Sequence, residues 1–500
     1  MTIPHRLVAT TAALAVSLTL LGACSHTPPG RAALVTTGYV SHQLCSAVFV
    51  SGQDAERSYL EAIAPMGGPF GFLLAHQVDR ERGEVRATLA GLAESRAVYR
   101  PPLGCVNATG TTLAGSPASP APAAEETPSP PRDPVLAPVL DRAFVENVDG
   151  PRRNTHAVVV MHRGRIVAER YAPGIGIDTP LPGWSATKSV TNALLGLLVR
   201  QGRLDMKAPA PISAWAAPQD PRRAITPDQL LRMTSGLDAG QSLVDVSPFD
   251  PAARLLFLEH DMAAFAASRP LAYPPGTHWN YADPNTLLLS RIVRDLAGGD
   301  ALSTRGFIHR ELLDKIGMRH ATFEFDAAGT PIGGSHLWAS ARDWGRLGQL
   351  FLDDGIVNGE RVLPPGWVEY SSRPTPGAEY VGYGAGFWTN RGSGYGASYR
   401  ICQGMPADAF MARGSHGQYV VIVPSQQLVV VRLGPAWTPR DDMDAVARLT
   451  RESIAALTTG KPDIATASGG SDRASAERCA PDRPARGSAP AAGPCAASGS

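Results

Sequence analysis

Trp184-Ser185-Ala186-Thr187-Lys188-Ser189-Val190 opens a stretch that runs on as Thr-Asn-Ala-Leu-Leu-Gly-Leu-Leu to Leu198. Val190, Ala193, Leu194, Leu197 and Leu198 recur at helical spacing, which predicts a buried helix over Val190 to Arg200. Ser185 and Lys188 stand three apart at its start, on one face, where a hydroxyl and an ammonium can meet. Arginine cannot take the second place in this chemistry, because its guanidinium does not deprotonate in proteins, whereas a buried lysine sheds its charge readily. The chain holds 46 Lys and Arg together but only four lysines, so a lysine beside this serine stands out. Thirty-four serines and four lysines still predict about a quarter of one Ser-x-x-Lys by chance. A helix-capping serine next to a surface lysine is the competing account, and the surroundings must decide.

Those surroundings form one unit, residues 135–458. It opens with a helix-like segment near Val135 to Val145. A hairpin follows: Ala157 to Met161, a turn at Arg163-Gly164, and Ile166 to Tyr171. It closes with a second hairpin, Gln418 to Val423 and Leu428 to Leu433, joined by Pro424-Ser425-Gln426-Gln427, and then an amphipathic stretch from Met443 to Leu457. Helical patterns at Pro227 to Met233, Thr286 to Leu296 and Ala339 to Leu352 fill the middle. Antiparallel strands from both ends with helices between predict an α+β fold.

Two further stretches lie in a telling order. Pro275-Gly276-Thr277-His278-Trp279-Asn280-Tyr281-Ala282-Asp283 precedes the Thr286 helix, and Ala412-Arg413-Gly414-Ser415-His416-Gly417-Gln418 precedes the last hairpin. With Ser185-x-x-Lys188, they make residues 135 to 457 resemble the serine β-lactamase and penicillin-binding-protein superfamily, specifically its β-lactamase-related hydrolases and esterases. The resemblance implies a β-lactamase/transpeptidase-like fold, with an antiparallel sheet flanked by helices and an all-helical subdomain. It also implies that Ser185 is the nucleophile and that neutral Lys188 and Tyr281 take its proton. Asp283 stands where the family usually has Asn. Gly414 matches the glycine of the third motif, whose place is an edge strand, and the N–H groups of Ser185 and Ser415 would form the oxyanion hole. Ala412 replaces the cationic first residue of that motif, which weakens a β-lactamase or D-alanyl-D-alanine peptidase reading. Gly-x-His-Gly-Gln, carrying His416, is similar to the run in 6-aminohexanoate-dimer hydrolase and its esterase relatives. Trp184 and His416 are candidates to line the pocket.

The flanks add a setting. Arg6 and the apolar run Leu7 to Leu20 read as an export signal, residues 1–24, ending in Leu21-Gly22-Ala23-Cys24, which resembles a bacterial lipobox. Lipid on Cys24 would hold the protein at the cell envelope, on the periplasmic face of an outer membrane or the outer face of the cell membrane. Residues 31–109 read as a small N-terminal α/β domain, residues 110–134 as a Pro/Ala-rich linker, and residues 459–500 as a disordered tail. An oxidising compartment permits disulfides, with Cys45 and Cys105 the preferred pair; Cys402, Cys479 and Cys495 stay open.

Net charge of +1 gives no reason to expect a nucleic-acid partner. The residue two after Ser185 is Thr187, which excludes the Gly-x-Ser-x-Gly elbow of α/β-hydrolases. No His-Glu-x-x-His or paired-cysteine spacing occurs, so neither metal nor cofactor is expected. The expected activity is a serine hydrolase acting on a small ester, amide or peptide-like substrate. The alternatives are an inactive envelope-binding sensor or a true β-lactamase or D-Ala-D-Ala peptidase. Oligomeric state is not legible.

Overall fold

The computed structural model describes residues 27–108, 113, 115, 134–242 and 247–459. The expected signal with Cys24, nearly all of the linker, Cys479, Cys495 and the tail from 460 on lie outside the described residues.

Helix α1, Pro28–Cys45, begins where Thr27 Oγ1 accepts the Gly30 N–H at 3.3 Å and Pro28 enters the first turn. The apolar run Ser46–Val50 continues it as a wider helical turn. An antiparallel meander follows, with strands β1 Leu74–Asp79, β2 Glu84–Leu89, β3 Ala93–Tyr99 and β4 Cys105–Asn107 in that order. Val40, Leu44, Val48 and Phe49 of the helical stretch pack on Val85, Ala87 and Ala97 of the meander. A disulfide joins Cys45, at the end of α1, to Cys105 in β4. Cys402 is also disulfide-bonded.

The larger body is built on six antiparallel strands. In chain order they are β5 Ala157–His162, β6 Arg165–Tyr171, β7 Trp388–Thr389, β8 Phe410–Gly414, β9 Gln418–Val423 and β10 Leu428–Leu433; across the sheet they run β7-β8-β9-β10-β5-β6. Arg163 and Gly164 both have positive φ, the two-residue turn whose twist suits a hairpin. β10 pairs with β5, so the last hairpin closes against the first. Every residue of β9 and β10 is buried, because both faces of the sheet are covered. Helix Ala341–Leu352 lies on one face. Its Gly345 and Gly348 let it come close: a Cβ there would stand 2.7 Å from Met161 Sδ and 2.5 Å from Val429 Cγ1. Helices Ala137–Ala143 and Met443–Thr459 cover the other face.

A helical part surrounds helix α2, Thr187–Arg200, which is buried from Thr187 to Leu198. Around it stand Pro227–Leu231, Pro251–Leu258, Met262–Ser268 and α3, Asp283–Ala297. The first of these starts on a reciprocal cap between Thr226 and Gln229, with Pro227 at its first position.

The N-terminal unit is stitched to both parts. A Cβ on Gly38 would sit 2.7 Å from the Phe257 carbonyl, so α1 lies directly on Pro251–Leu258. Asn107 Nδ2 donates to that same carbonyl at 2.9 Å, and Arg100 Nη2 donates to Phe325 O at 2.8 Å. On the sheet side, Trp437 Nε1 donates to Glu61 O at 2.7 Å, and Glu61 Oε2 pairs with His156 Nε2 at 2.7 Å.

The Cys45–Cys105 bond closes a loop of 60 residues. Replacing both cysteines by serine is expected to lower stability by about 2–4 kcal/mol. Urea unfolding monitored by tryptophan fluorescence measures it, and an unchanged midpoint refutes it.

Candidate active site

Ser185 sits in a short 3₁₀ turn, Trp184–Ala186, that leads into α2. Trp184 before it has φ +46°, a left-handed conformation that a bulky side chain adopts only under constraint. One constraint is Gly414 at the end of β8: a Cβ there would lie 2.1 Å from Gly183 O and 3.0 Å from Trp184 Cβ. Only glycine lets the strand and the turn approach this closely. Ser415 and His416 follow in the turn between β8 and β9. Two-residue β7 pairs with β8 only at Phe410 and Met411, so among the described residues the motif end, Ala412 to Gly414, has a ladder partner on the β9 side alone.

Lys188 is 1% exposed, and its ammonium meets three acceptors. Nζ stands 3.1 Å from Ser185 Oγ, 2.5 Å from Asp283 Oδ1 and 2.9 Å from Gly334 O. Each hydrogen bond to a charged group contributes roughly 1.5–3 kcal/mol. Three of them offset the several kcal/mol that burying one ammonium costs. Burial pushes the Lys188 pKa down, but the Asp283 carboxylate and then Tyr281 outweigh it, and the result stands above the ordinary 10.5. The Asp283 carboxylate thus favours the charged form of Lys188, where the family resemblance implies a neutral base. The physical reason is Asp283, where an Asn would bring no charge.

Asp283 opens α3, and its own N–H donates to Ser242 Oγ at 3.1 Å. Tyr281 precedes it by two residues and is buried. Its ring centroid lies 4.9 Å from Lys188 Nζ, and Tyr383 and Trp388 pack on it at 5.4 and 5.5 Å. Ser185, Lys188, Tyr281 and Asp283 thus meet at one point between the sheet and the helical part. Ser185 itself is half-buried.

His416 lies at the rim. Its N–H donates to Asp441 Oδ1 at 3.1 Å, and its ring packs on Trp437 at 4.5 Å and Trp184 at 5.8 Å. Trp184 in turn stacks on Tyr39 of α1 at 6.2 Å, and Tyr39 meets Phe257 edge-on at 5.3 Å. A recess beside Trp184 is shared by the two units, with Gln43, Gln53 and Glu61 on one side and Trp338 and His416 on the other. Gly334, Tyr39 and His336 belong to the surroundings of the site without any local signal in the sequence. Burial pushes the His336 imidazole well below its ordinary 6.5, and His42 and Lys188 push it further.

Residues 140–454 match the family model described as Beta-lactamase. The chain is 27% identical over 309 residues to a 6-aminohexanoate-dimer hydrolase of Paenarthrobacter ureafaciens, covering 57% of this chain and 74% of that protein. A Bacillus anthracis structure described as a candidate 6-aminohexanoate-dimer hydrolase superposes with a TM-score of 0.51 at 23% identity, over 61% of this chain and 80% of that one. A penicillin-binding-protein homologue from Caulobacter crescentus gives 0.51 at 17% identity, over 65% and 97%. At these identities the two structures establish the β-lactamase/transpeptidase-like fold alone.

A raised lysine pKa means that the charged Lys188 contributes stability that is complete below its unfolded value of 10.5 and is lost as pH rises through the folded value. Asp283→Asn is expected to cost about 1–3 kcal/mol near neutral pH, with the deficit narrowing above that range. Denaturant unfolding of both proteins across alkaline pH measures this; a pH-independent difference contradicts it.

Proposed function

The chain belongs to the beta-lactamase family, and on that premise we propose that it is a serine hydrolase that cleaves a linear ester or amide through an acyl-enzyme on Ser185. The observation that carries this reading is the contact of the Ser185 hydroxyl, in a half-buried residue, with the buried Lys188 amine at 3.1 Å, beside Tyr281. As Ser185 Oγ bonds to the carbonyl carbon, its proton moves to the Tyr281 oxygen while the Tyr281 proton moves to the leaving group. Lys188, charged throughout, steadies both oxygens. The N–H groups of Ser185 and Ser415 receive the oxyanion, and water then releases the acyl group by the reverse relay.

The third motif favours a substrate without a fixed carboxylate. Ala412 is buried and uncharged, and Arg413 beside it is held by Asp441 Oδ2 at 2.9 Å and by the face of Trp388. Nothing cationic in that stretch is left to anchor the carboxylate of a β-lactam or a peptide end. The 6-aminohexanoate-dimer hydrolase relative supports the same direction. Export and a lipid on Cys24 complete the proposal; the Cys45–Cys105 bond supports an oxidising compartment.

Fluorophosphonate labelling tests it. The label is expected on Ser185, absent in Ser185→Ala, and slowed by about 10²–10⁴-fold in Lys188→Ala and Tyr281→Phe. Folded wild type that stays unlabelled would favour the sensor reading, and rapid nitrocefin turnover a β-lactamase. With Lys188 acting as a cation, the labelling rate falls as pH rises through its raised pKa. A rate that climbs over that range would restore the neutral-lysine base.

A further inference from the structure

A second polar cluster lies behind the site and takes no part in its chemistry. His42 comes from α1, Glu324 from the residue after strand Ala321–Phe323, and His336 from the loop that supplies Gly334. One ligand atom from each lies within 4.8 Å of the others, and the residues are 1%, 0% and 2% exposed.

The hydrogen bonding is uneven. Glu324 Oε1 accepts from Ser46 Oγ at 2.7 Å and the Cys105 N–H at 2.8 Å; Oε2 lies 3.1 Å from His42 Nε2 and accepts from Trp338 Nε1 at 3.3 Å. His336 Nδ1 is bonded to Ser335 Oγ at 2.6 Å. Yet His42 Nδ1 and His336 Nε2 have no partner among the described residues, although their rings face each other at 4.6 Å. Leaving a buried polar atom unsatisfied costs roughly 1–3 kcal/mol, and here two such atoms lie in one pocket. A cation held by His42 Nε2, Glu324 Oε2 and His336 Nε2 would give His336 Nε2 its missing partner.

We propose that His42, Glu324 and His336 form a site for a divalent transition-metal ion, Zn²⁺ by its donor set, that pins the N-terminal helix to the hydrolase body. Two imidazoles and a carboxylate are a common zinc set. Tetrahedral zinc with ligands near 2.0–2.2 Å spaces its donors about 3.3 Å apart. His42 Nε2 and Glu324 Oε2 are already at 3.1 Å, so closure needs only a modest inward movement of the third donor. Ser335 on His336 Nδ1, and Ser46 with the Cys105 N–H on Glu324 Oε1, are the outer hydrogen bonds that orient such ligands. Metal bound here would also steady the 334–336 segment, whose Gly334 carbonyl holds Lys188.

The test uses the full chain, stripped with chelator, dialysed and titrated with ZnCl₂ or CoCl₂. Expected are one tightly held equivalent by elemental analysis, a rise in Tm, and the intense visible absorption of tetrahedral Co²⁺. His42→Gln, His336→Gln and Glu324→Gln should each weaken Zn²⁺ binding by more than about 100-fold, beyond the loss typical of outer-shell changes. Wild type that retains no equivalent and gives no tetrahedral Co²⁺ spectrum overturns the proposal, whatever the variants do. So does binding that persists unchanged in variants with wild-type near-ultraviolet circular dichroism.

Discussion

Lys188 buries its amine among three acceptors, and much of the body is arranged around that contact. Its three acceptors come from three places: the turn before α2, the first residue of α3, and the 333–334 loop. Each must stay near 3 Å for the ammonium to remain buried, so the cation fixes the separation of two core helices and a loop. Gly334 shows how tight this is, since a Cβ there would fall 2.6 Å from Asp283 Oδ1. The proposed nucleophile is held by the same network that holds the fold.

The N-terminal unit is part of this arrangement. Its helix lies on Phe257, its Tyr39 stacks on the tryptophan before Ser185, and its Glu61 reaches the sheet side through His156 and Trp437. A unit bonded to both parts of the body restrains their relative movement, and it narrows the approach to Ser185 from the Trp184 side. Residues 27–108 thus form part of the surroundings of the site.

Much of the body was legible because its signals are local. Hairpins at 157–171 and 418–433 appear where alternating apolar runs flank turn residues, and the helices at 187–200, 283–297 and 341–352 follow apolar periodicity. The last starts two residues later than the pattern implies, at Ala341, because the Ser340 hydroxyl caps it by accepting the Asp343 N–H. The N-terminal segment was less legible. Ser46–Val50 reads as a separate apolar run yet continues α1, and β3 carries Glu94, Ser95 and Arg96, too polar to announce a strand.

The sequence by itself determined the residue types of the proposed site, the order of their motifs and the elements that carry them, because helix period and turn chemistry act over a few residues. Only the tertiary structure set Asp283 against Lys188 and so raised the pKa of its amine, because that carboxylate lies 95 positions away. Only it brought His42 to Glu324 across 282 positions, set His336 beside both, and brought Tyr39 to Trp184. Charge state and ligand sets are sums over neighbours in space, and neighbours in space are what a linear pattern does not list.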